Sequence, residues 1–464
     1  MFPLSLPQLA RLVAATDVRE SLPEIAVTGA VIDSRRVQPG DAFFALPGSR
    51  QHGVEFAAEA FAAGAVCVVT DQLPQSLTRS LLQRALLVTN AAIALQHLAS
   101  WNRSQSHASV IGITGSVGKT STRQLIAAVL GTHVTGCQSP ANYNNELGVP
   151  LTLLQLTDHH RFAAVEMGAG RPGDIHFLCE LAKPTAAVVT RVAPCHLETF
   201  GSLEAIARTK AELPRFLQPS DPAFLNADDP LVYAMREQTK GRVVLYGEQA
   251  SGISKLQNVR QADHRCWFDC GSDCFSVHGP RQLVYGAAAA VAVGREWGMT
   301  AAAIQEGLER FQPGAGRGRV IDCGEWTVID ETYNSSPASL RACIETLSGW
   351  NRGRRILVAG EMLELGDEAE DLHRQAGADI AGSAVDVAVF TGRYSAAARA
   401  AAIAAGYPAS QVISIEKPEV LLTELPRMLE PGDVVLIKAS RALQFERLVR
   451  VLEQQGWPQG WQQR

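Results

Sequence analysis

Short apolar runs and segments of helical periodicity alternate along most of the chain. The clearest case begins with the apolar run 110–113, continues through a glycine-containing turn at 114–120, and ends in apolar residues that recur at helical spacing across 125–130. A continuous apolar run followed by turn residues is typical of a buried parallel strand, and the later spacing is typical of an amphipathic helix. We therefore predict a strand, a tight turn and a helix in this stretch.

The same alternation divides the chain into three α/β units, with predicted bounds 1–84, 85–312 and 313–464. The first unit has predicted strands at 27–32, 41–46 and 65–69 and a predicted helix at 56–63. The polar, proline-containing stretch 71–84 is predicted to link it to the second unit.

Parallel sheets with helices on both faces are predicted for the other two units, because strands and helices alternate in both. Their predicted strands are 110–113, 162–167 and 186–190 in the second unit and 327–330, 356–359, 386–390 and 434–437 in the third. The alternating segments 242–246 and 266–277 are predicted to add antiparallel strands to the second sheet. The turn-rich residues 312–316 precede a dinucleotide-fold-like domain that lacks a GxGxxG loop. The predicted class is therefore α/β in three domains.

Composition excludes several classes of protein. A net charge of −5 provides no basic field for nucleic acid or for an anionic membrane. No run of about 18 apolar residues occurs, and no basic segment precedes the apolar start of the chain. We expect no nucleic-acid partner, no membrane insertion and a cytoplasmic location. Nine scattered cysteines indicate reduced thiols rather than a disulfide framework.

The turn after the first predicted strand of the second unit has the composition of a phosphate cradle. Its backbone N–H groups and the following helix N-terminus would face an anion, Lys119 would supply a positive charge, and the Thr120 hydroxyl would ligate Mg²⁺. Ile113 stands where the common P-loop pattern has its first glycine, so the pattern is the narrower TGxxGK[ST]. The predicted nucleotide contacts are Gly115, Ser116, Gly118, Lys119, Thr120 and Ser121.

Two further side chains follow strands at the same predicted edge. Glu166 ends the apolar run 162–165, where a P-loop site needs a carboxylate for Mg²⁺. His196 lies in the loop after 186–190 and is a second candidate ligand. A solvated loop carboxylate and a structural histidine are the alternatives.

Lys210 lies on the apolar face of a predicted helix, at i+7 from Leu203 and i+4 from Ile206. One interpretation is a lysine that extends to the surface. The other is a partly buried amine that holds a phosphate, or that CO₂ converts to a carbamate able to bind a second Mg²⁺.

Polar residues elsewhere are candidates for substrate contacts. Ser34 and Arg35 follow a strand, where ligands of open α/β sheets bind. The loop 142–148 is rich in amides that suit a polar substrate, although such turns are also common as plain structure. Its candidate residues are Asn142, Asn144 and Asn145.

A strand end in the third unit is a candidate nucleotide contact. The pair 330–331 precedes Tyr333 and Asn334, an arrangement suited to ribose hydroxyls and an adenine face, and Arg317 lies within reach of the same nucleotide. A different series, His264, Cys266, Cys270, Cys274 and His278, has even spacing. Zinc sites usually pair ligands through shorter turns, so we expect one shared face of a sheet rather than a metal site.

With these residues in view, the chain resembles the Mur ligase family, ATP-dependent amide ligases of peptidoglycan precursor synthesis. The motifs that carry the resemblance in the second unit are TGSVGKTST, NYNNELG, VEMGAG, HLETFGS and TKAEL. GEMLELGDEAEDLH, DETYNSSP and KASR resemble the branch that adds D-alanyl-D-alanine to UDP-N-acetylmuramoyl-tripeptide. Segment 281–285 stands where the family has an adenine-contacting motif, and Glu331 stands in place of an aspartate.

The resemblance implies a role for each matching residue. It implies catalytic roles for Lys119, Lys210 and His196, two Mg²⁺ ions held by Thr120, Glu166, His196 and carbamylated Lys210, and ATP contacts from Arg317 and Glu331. It also implies that Ser34 and Arg35 hold the UDP-sugar end, and that Lys438, Ser440 and Arg441 meet substrate or γ-phosphate on domain closure. The expected enzyme is a monomer that forms the amide through an acyl phosphate.

Three alternatives remain beside this expectation. A sister ligase would use the same mechanism on a different amine or acyl substrate, and a non-catalytic paralogue would keep the nucleotide fold without turnover. A P-loop GTPase or phosphotransferase is disfavoured, because the chain has no Asn-Lys-x-Asp motif.

Overall fold

The computed structural model describes residues 1–16, 22–48, 51–73, 77–194, 197–262 and 265–455. Within these ranges the chain forms three α/β units, each built on its own parallel or mainly parallel sheet. No helix in this part of the chain is long and apolar enough to cross a membrane.

The first unit is a parallel sheet preceded by a short antiparallel pair. The pair is β1 (Leu4–Ser5) and β2 (Ala26–Val27), and the sheet has the order β3 (Gly29–Val31), β4 (Asp41–Ala45), β5 (Cys67–Thr70) and β6 (Ala85–Leu87). Its helices are α1 (Leu6–Leu12), α2 (Ala57–Ala62) and α3 (Arg79–Leu82). The predicted strand 27–32 is divided in two at Thr28, whose N–H bonds to Gly40. Because β6 pairs with β5, this sheet extends beyond the predicted end of the unit at residue 84.

The central unit is a parallel sheet with helices on both faces, as predicted. Its strands are β7 (Ser109–Thr114), β8 (Gly136–Gln138), β9 (Phe162–Glu166), β10 (Ala186–Val189), β11 (Pro222–Asn226) and β12 (Arg242–Tyr246), in the order β12-β11-β10-β7-β9-β8. Its helices are α4 (Ala91–Gln105), α5 (Lys119–Leu130), α6 (Gly148–Leu153), α7 (Asp174–Ala182), α8 (Leu197–Phe200), α9 (Leu203–Lys210), α10 (Glu212–Phe216), α11 (Pro230–Tyr233), α12 (Leu283–Glu296) and α13 (Ala301–Arg310).

Burial of both sheet faces explains the continuous apolar run of β7. Val110 packs into a core cluster shared with α4 and the first unit, whereas Ile111 and Ile113 pack into a second cluster with α5 and α12. The inner strand β7 thus leads directly into the predicted cradle, between β9 and β10.

The prediction of antiparallel additions to the central sheet is wrong. β12 joins the sheet parallel to β11, because the intervening helix α11 returns the chain to the same edge. The next strands, β13 (Leu256–Ala262), β14 (Arg265–Cys270) and β15 (Asp273–His278), form a separate antiparallel sheet.

The evenly spaced cysteines of that small sheet do not share one face. A tight turn pairs Cys270 with Asp273, which places Cys274 opposite Asp269. Cys266 and Cys270 are therefore buried on one face, while Cys274 is exposed on the other. His264 lies outside the described residues.

The C-terminal unit has the dinucleotide-fold-like rhythm that was predicted. Its strands are β16 (Arg319–Asp322), β17 (Thr327–Glu331), β18 (Arg355–Ala359), β19 (Val387–Thr391), β20 (Val412–Ile415) and β21 (Val434–Lys438), in the order β16-β17-β21-β18-β19-β20. Its helices are α14 (Pro337–Ser348), α15 (Ala369–Asp379), α16 (Ser395–Ala404), α17 (Leu421–Met428) and α18 (Glu446–Gln455). Only β16 is antiparallel among these strands. The register places Glu331 beside Lys438 at the carboxyl edge.

Candidate active site

A cavity of about 1750 Å³ lies between the carboxyl edge of the central sheet and the C-terminal unit. Sites for one small molecule usually measure roughly 300–1000 Å³, so this cavity has room for more than one substrate. The predicted residues that line it are Gly115, Ser116, Gly118, Lys119, Thr120, Ser121, Asn144, Asn145, Glu166, Lys210, Arg317, Glu331, Tyr333, Asn334 and Lys438. Residues distant in sequence thus meet in one space.

Two backbone carbonyls of the turn after β7 bind the Lys119 ammonium. Lys119 Nζ donates to the carbonyl oxygens of Gly115 at 2.7 Å and Ser116 at 3.2 Å. Gly118, at φ 86°, precedes α5, so the helix begins at Lys119 and directs its N-terminus toward the cavity. Ile113 replaces the first P-loop glycine because its position lies inside β7, where the side chain is buried against α5.

Gly115 is the cradle position least able to accept a side chain. Its φ is +147°, and a Cβ there would lie 2.0 Å from Thr190 Oγ1, which itself donates to the Val117 carbonyl at 2.7 Å. We expect Gly115→Ala to weaken ADP binding roughly tenfold and to lower the free energy of unfolding by about 1–3 kcal/mol. Calorimetric ADP titration and thermal unfolding measure the two effects.

Gly298→Ala is the matched control, since that glycine has φ +71° but nothing within 4 Å of its added Cβ. It has a positive φ as Gly115 does, without the clash. Equal ADP affinity in the two variants would contradict a cradle shaped by the contact between Gly115 and Thr190.

Glu166 is the centre of a buried polar cluster. Thr120 Oγ1 donates to Oε2 of this carboxylate at 2.7 Å, and Asn144 Nδ2 donates to Oε1 at 3.0 Å. Glu166 is 2% exposed, so the alternative of a solvated loop carboxylate is wrong. The hydroxyl and carboxylate oxygens are ligands that Mg²⁺ prefers, and the donor set fits that ion.

Sequence reasoning missed Arg123, which belongs to the same cluster. Its Nε lies 3.7 Å from Glu166 Oε2 and has no hydrogen-bond partner among the residues that the structure describes, although the side chain is buried. Burial lowers the pKa of this guanidinium; Glu166 opposes the shift and Arg317 adds to it. The available signal was a cation three residues after Thr120, on the helix that follows the cradle and just before its apolar residues 125–130.

Lys210 ends α9 and is 3% exposed, so the interpretation as a lysine that reaches the surface is wrong. Ile206, one turn earlier, is fully buried, which confirms that this helix face points inward. The side chain lines the cavity. His196 lies outside the described residues, and its role stays a prediction.

The C-terminal unit contributes an ion pair and a stacked arginine. Lys438 Nζ donates to the Asn334 carbonyl at 2.9 Å and lies 3.4 Å from Glu331 Oε2. The Arg317 guanidinium lies 3.7 Å from the centroid of the Tyr333 ring. This arrangement provides charge of both signs and an aromatic face on the side of the cavity formed by the C-terminal unit.

Asp330, which precedes Glu331 in β17, binds groups of its own unit rather than facing the cavity as a ribose contact would. Its buried carboxylate accepts the N–H of Gly316 at 2.8 Å and the Thr332 hydroxyl at 2.7 Å. It therefore holds the turn that carries Arg317.

Five predicted substrate residues lie outside the cavity lining: Ser34, Arg35, Asn142, Ser440 and Arg441. Arg35 is 85% exposed and donates to the Asp33 carboxylate at 2.8 and 2.9 Å, a contact that lowers the pKa of Asp33. Ser440 Oγ accepts the Leu363 N–H at 2.9 Å, and Arg441 lies 3.5 Å from Glu446. Substrate contacts by these residues stay predictions.

A second set of cavity residues was missed at the end of β11. Asn226 Nδ2 donates to the Thr190 carbonyl at 2.9 Å, and the Asp228 carboxylate accepts the backbone N–H groups of Glu248 and Gln249. The signal was present in the sequence, since two acids follow a short apolar run here, much as Glu166 follows the apolar residues of β9. In the residues that the structure describes, no group of three or more His, Cys, Asp or Glu side chains is arranged around a metal position.

Three family profiles match successive parts of the chain. They describe a Mur ligase family catalytic domain at 26–102, a Mur ligase middle domain at 113–291 and a Mur ligase glutamate ligase domain at 316–441. The three matches follow one another in the order of the three α/β units.

Curated relatives match over nearly their full length. A UDP-N-acetylmuramoyl-tripeptide–D-alanyl-D-alanine ligase from a Synechocystis species is 34% identical over 95% of this chain and 94% of its own. The enzyme of that name from Bacillus subtilis is 32% identical over 97% and 99%.

Solved structures agree with these matches. MurF from Acinetobacter baumannii has a TM-score of 0.85 and 27% identity over 98% of this chain and 99% of its own. MurF from Thermotoga maritima in complex with ADP has a TM-score of 0.78 and 28% identity over 93% and 98%. The chain belongs to the Mur ligase family.

Proposed function

We propose that this protein is an ATP-dependent ligase that adds D-alanyl-D-alanine to UDP-N-acetylmuramoyl-tripeptide in peptidoglycan precursor synthesis. The observation that carries the proposal is the single cavity that joins a phosphate cradle, a buried Thr120–Glu166 pair and a buried Lys210 to the Lys438–Glu331 pair of another unit. The names and extents of the relatives support the choice of substrates.

Residues on the central side of the cavity suit the ATP phosphates. The cradle and the Lys119 ammonium offer backbone donors and positive charge, while Thr120 and Glu166 offer oxygen ligands for Mg²⁺. Bound Mg²⁺ would supply charge neutralisation at the transferred phosphoryl group. Arg317, Glu331, Tyr333 and Asn334 are proposed to contact the nucleoside from the C-terminal unit.

The proposed chemistry has two steps. A carboxylate oxygen of the nucleotide-linked peptide attacks the γ-phosphorus, and the bond between the γ-phosphorus and the oxygen shared with the β-phosphate breaks. The products of this step are ADP and an acyl phosphate. The dipeptide amine then attacks the acyl carbon, loses a proton, and expels inorganic phosphate as the amide forms. Enclosure between two units protects the acyl phosphate from water, and the cations Lys119 and Lys438 stabilise charge that develops on oxygen.

Further parts of the proposal concern the metals and the protein as a whole. Lys210 is proposed to carry a carbamate that, with His196, holds a second Mg²⁺. Contacts with substrate are proposed for Ser34, Arg35, Asn142, Ser440 and Arg441. The domain bounds 1–84, 85–312 and 313–464 remain proposals, except that β6 (Ala85–Leu87) belongs to the sheet of the first unit. A monomeric state and a cytoplasmic location are proposed as well.

Phosphate release tests the proposed reaction most directly. Purified protein with ATP, Mg²⁺, UDP-N-acetylmuramoyl-tripeptide and D-alanyl-D-alanine should release phosphate, and omission of any one component should abolish release. Mass spectrometry should show the pentapeptide product. Phosphate release without product, or with a different amine only, would support a sister ligase, and no release in any combination would support a non-catalytic paralogue.

A further inference from the structure

Gln282 connects the central unit to the C-terminal unit through both ends of its side-chain amide. Its Nε2 donates to the Ala342 carbonyl, and its Oε1 lies 2.7 Å from the Thr346 hydroxyl, whose single proton is shared between this oxygen and the Ala342 carbonyl at 2.8 Å. Ala342 and Thr346 lie one turn apart on α14, and Thr346 is buried. Because a carbonyl can only accept, the NH₂ group must face Ala342, and the amide has one satisfied orientation.

The central end of this contact is attached to the phosphate cradle. Gln282 immediately precedes α12, which packs so closely on the P-loop helix α5 that a Cβ at Gly286 would lie 2.9 Å from Thr122 Oγ1 and 3.1 Å from Leu125. Nearby Pro280 also meets the C-terminal unit, since it lies 3.2 Å from a Cβ built at Gly318. The start of α12 therefore lies against the C-terminal unit, while the helix itself packs on α5, the helix of the phosphate cradle.

The other end of the contact is attached to the cavity residues of the C-terminal unit. Helix α14 packs into the core of that unit through Leu340, Ile344 and Leu347. Its N-cap, Ser336, follows the loop that contains Asn334, whose carbonyl binds Lys438 Nζ. A shift of α14 relative to α12 would therefore move Lys438 and Glu331 relative to the cradle.

We propose that Gln282 is a positioning residue that, with Thr346, docks the C-terminal unit onto the nucleotide-binding unit. This assignment differs from the adenine contact that the family resemblance implies for segment 281–285, because both groups of the Gln282 amide already bond to α14. The inference rests on the proposed function in one respect only, namely the expected change in kcat. The contact itself involves no substrate atom.

Three variants test the docking: Gln282→Ala, Thr346→Val and the double variant. Each single variant should enlarge the radius of gyration of the ligand-free protein in solution scattering. Each should lower kcat roughly tenfold, which corresponds to about 1.4 kcal/mol of lost interunit hydrogen bonding. KM for ATP should change by less than about twofold, because both groups of the Gln282 amide bond to α14 although Gln282 itself lines the cavity. The double variant should be no worse than Gln282→Ala, since both changes break one contact.

Two control variants separate docking from general damage. Thr346→Ser keeps the hydroxyl and should behave as the native protein. Gln305→Ala breaks a similar two-point amide contact, with Ser276, inside the central unit and should leave kcat and the radius of gyration unchanged.

Two results would overturn the inference. A tenfold weaker ADP affinity in Gln282→Ala, with Thr346→Val unaffected, would show that Gln282 contacts the base. Native scattering in both single variants would show that the contact does not position the units. Scattering and ADP calorimetry need neither peptide substrate, so they decide the inference even if the proposed ligation is not observed.

Discussion

Lys119→Met is expected to abolish most phosphate release, with a decrease in kcat of roughly 10²- to 10³-fold. The Lys119 ammonium sits in the turn that we assign to the ATP phosphates, where it bonds to the Gly115 and Ser116 carbonyls. A fixed positive charge in a partly enclosed site stabilises a transferring phosphoryl group far more than a solvated charge does. Stopped assays of phosphate release and product mass would measure the loss.

Folding should be preserved in this variant, because Lys119 is half-buried and bonds to loop carbonyls rather than packing in a core. Lys240→Met is the matched control, since Lys240 is exposed and lies outside the cavity lining. Native turnover in Lys119→Met would refute the assignment of the cradle to catalysis.

Lys210→Ala is expected to lose turnover to a similar extent, roughly 10²-fold or more, and to regain part of it when formate or acetate is added. The side chain is 3% exposed and lines the cavity, so its removal leaves a space that a small acid can enter. If native Lys210 carries a carbamate, an added carboxylate restores the missing oxygen ligands. Rates measured against acid concentration would test this.

The same variant distinguishes the two interpretations of the buried amine. Rescue by methylamine rather than by acids would show that Lys210 acts as a cation for a phosphate. Near-native turnover without any additive would exclude both roles. Lys240→Ala, treated with the same acids, serves as the control because its side chain lies outside the cavity lining.

Local sequence patterns identified the cradle and most inner strands, although the inner strand β11 was not predicted. The apolar runs at 110–113 and 162–165 correspond to strands buried on both faces, and the spacing of the glycines after β7 fits the turn that the structure shows there. The edge strands β6, β8, β16 and β20 were not predicted, because they are short and mostly only partly buried. β16 and β20 carry no continuous apolar run, and their pairing depends on neighbours far along the chain.

The residues that line the cavity were harder to predict, because their contacts also depend on neighbours far along the chain. Lys210 was identified because its position on an apolar helix face is a local anomaly. Arg123 was not, since a cation on a helix is normally solvated and its burial depends on Glu166 arriving from another strand. The contact of Gln282 with Thr346 spans 64 residues, and no local pattern specifies it.

The strand order of the C-terminal sheet has a consequence for biosynthesis. The last strand, β21, lies in the middle of that sheet, between β17 and β18, and ends at Lys438. During synthesis the first two units leave the ribosome before the C-terminal unit. The strands β16 to β20 are made before β21, so the C-terminal sheet cannot be completed until β21 has been synthesised. In a nascent chain that stops shortly before residue 434, β17 still pairs with β16 and β18 with β19, but each exposes the one edge that would pair with β21. We expect truncated products to be recognised by chaperones and proteases rather than to accumulate as nucleotide-binding fragments.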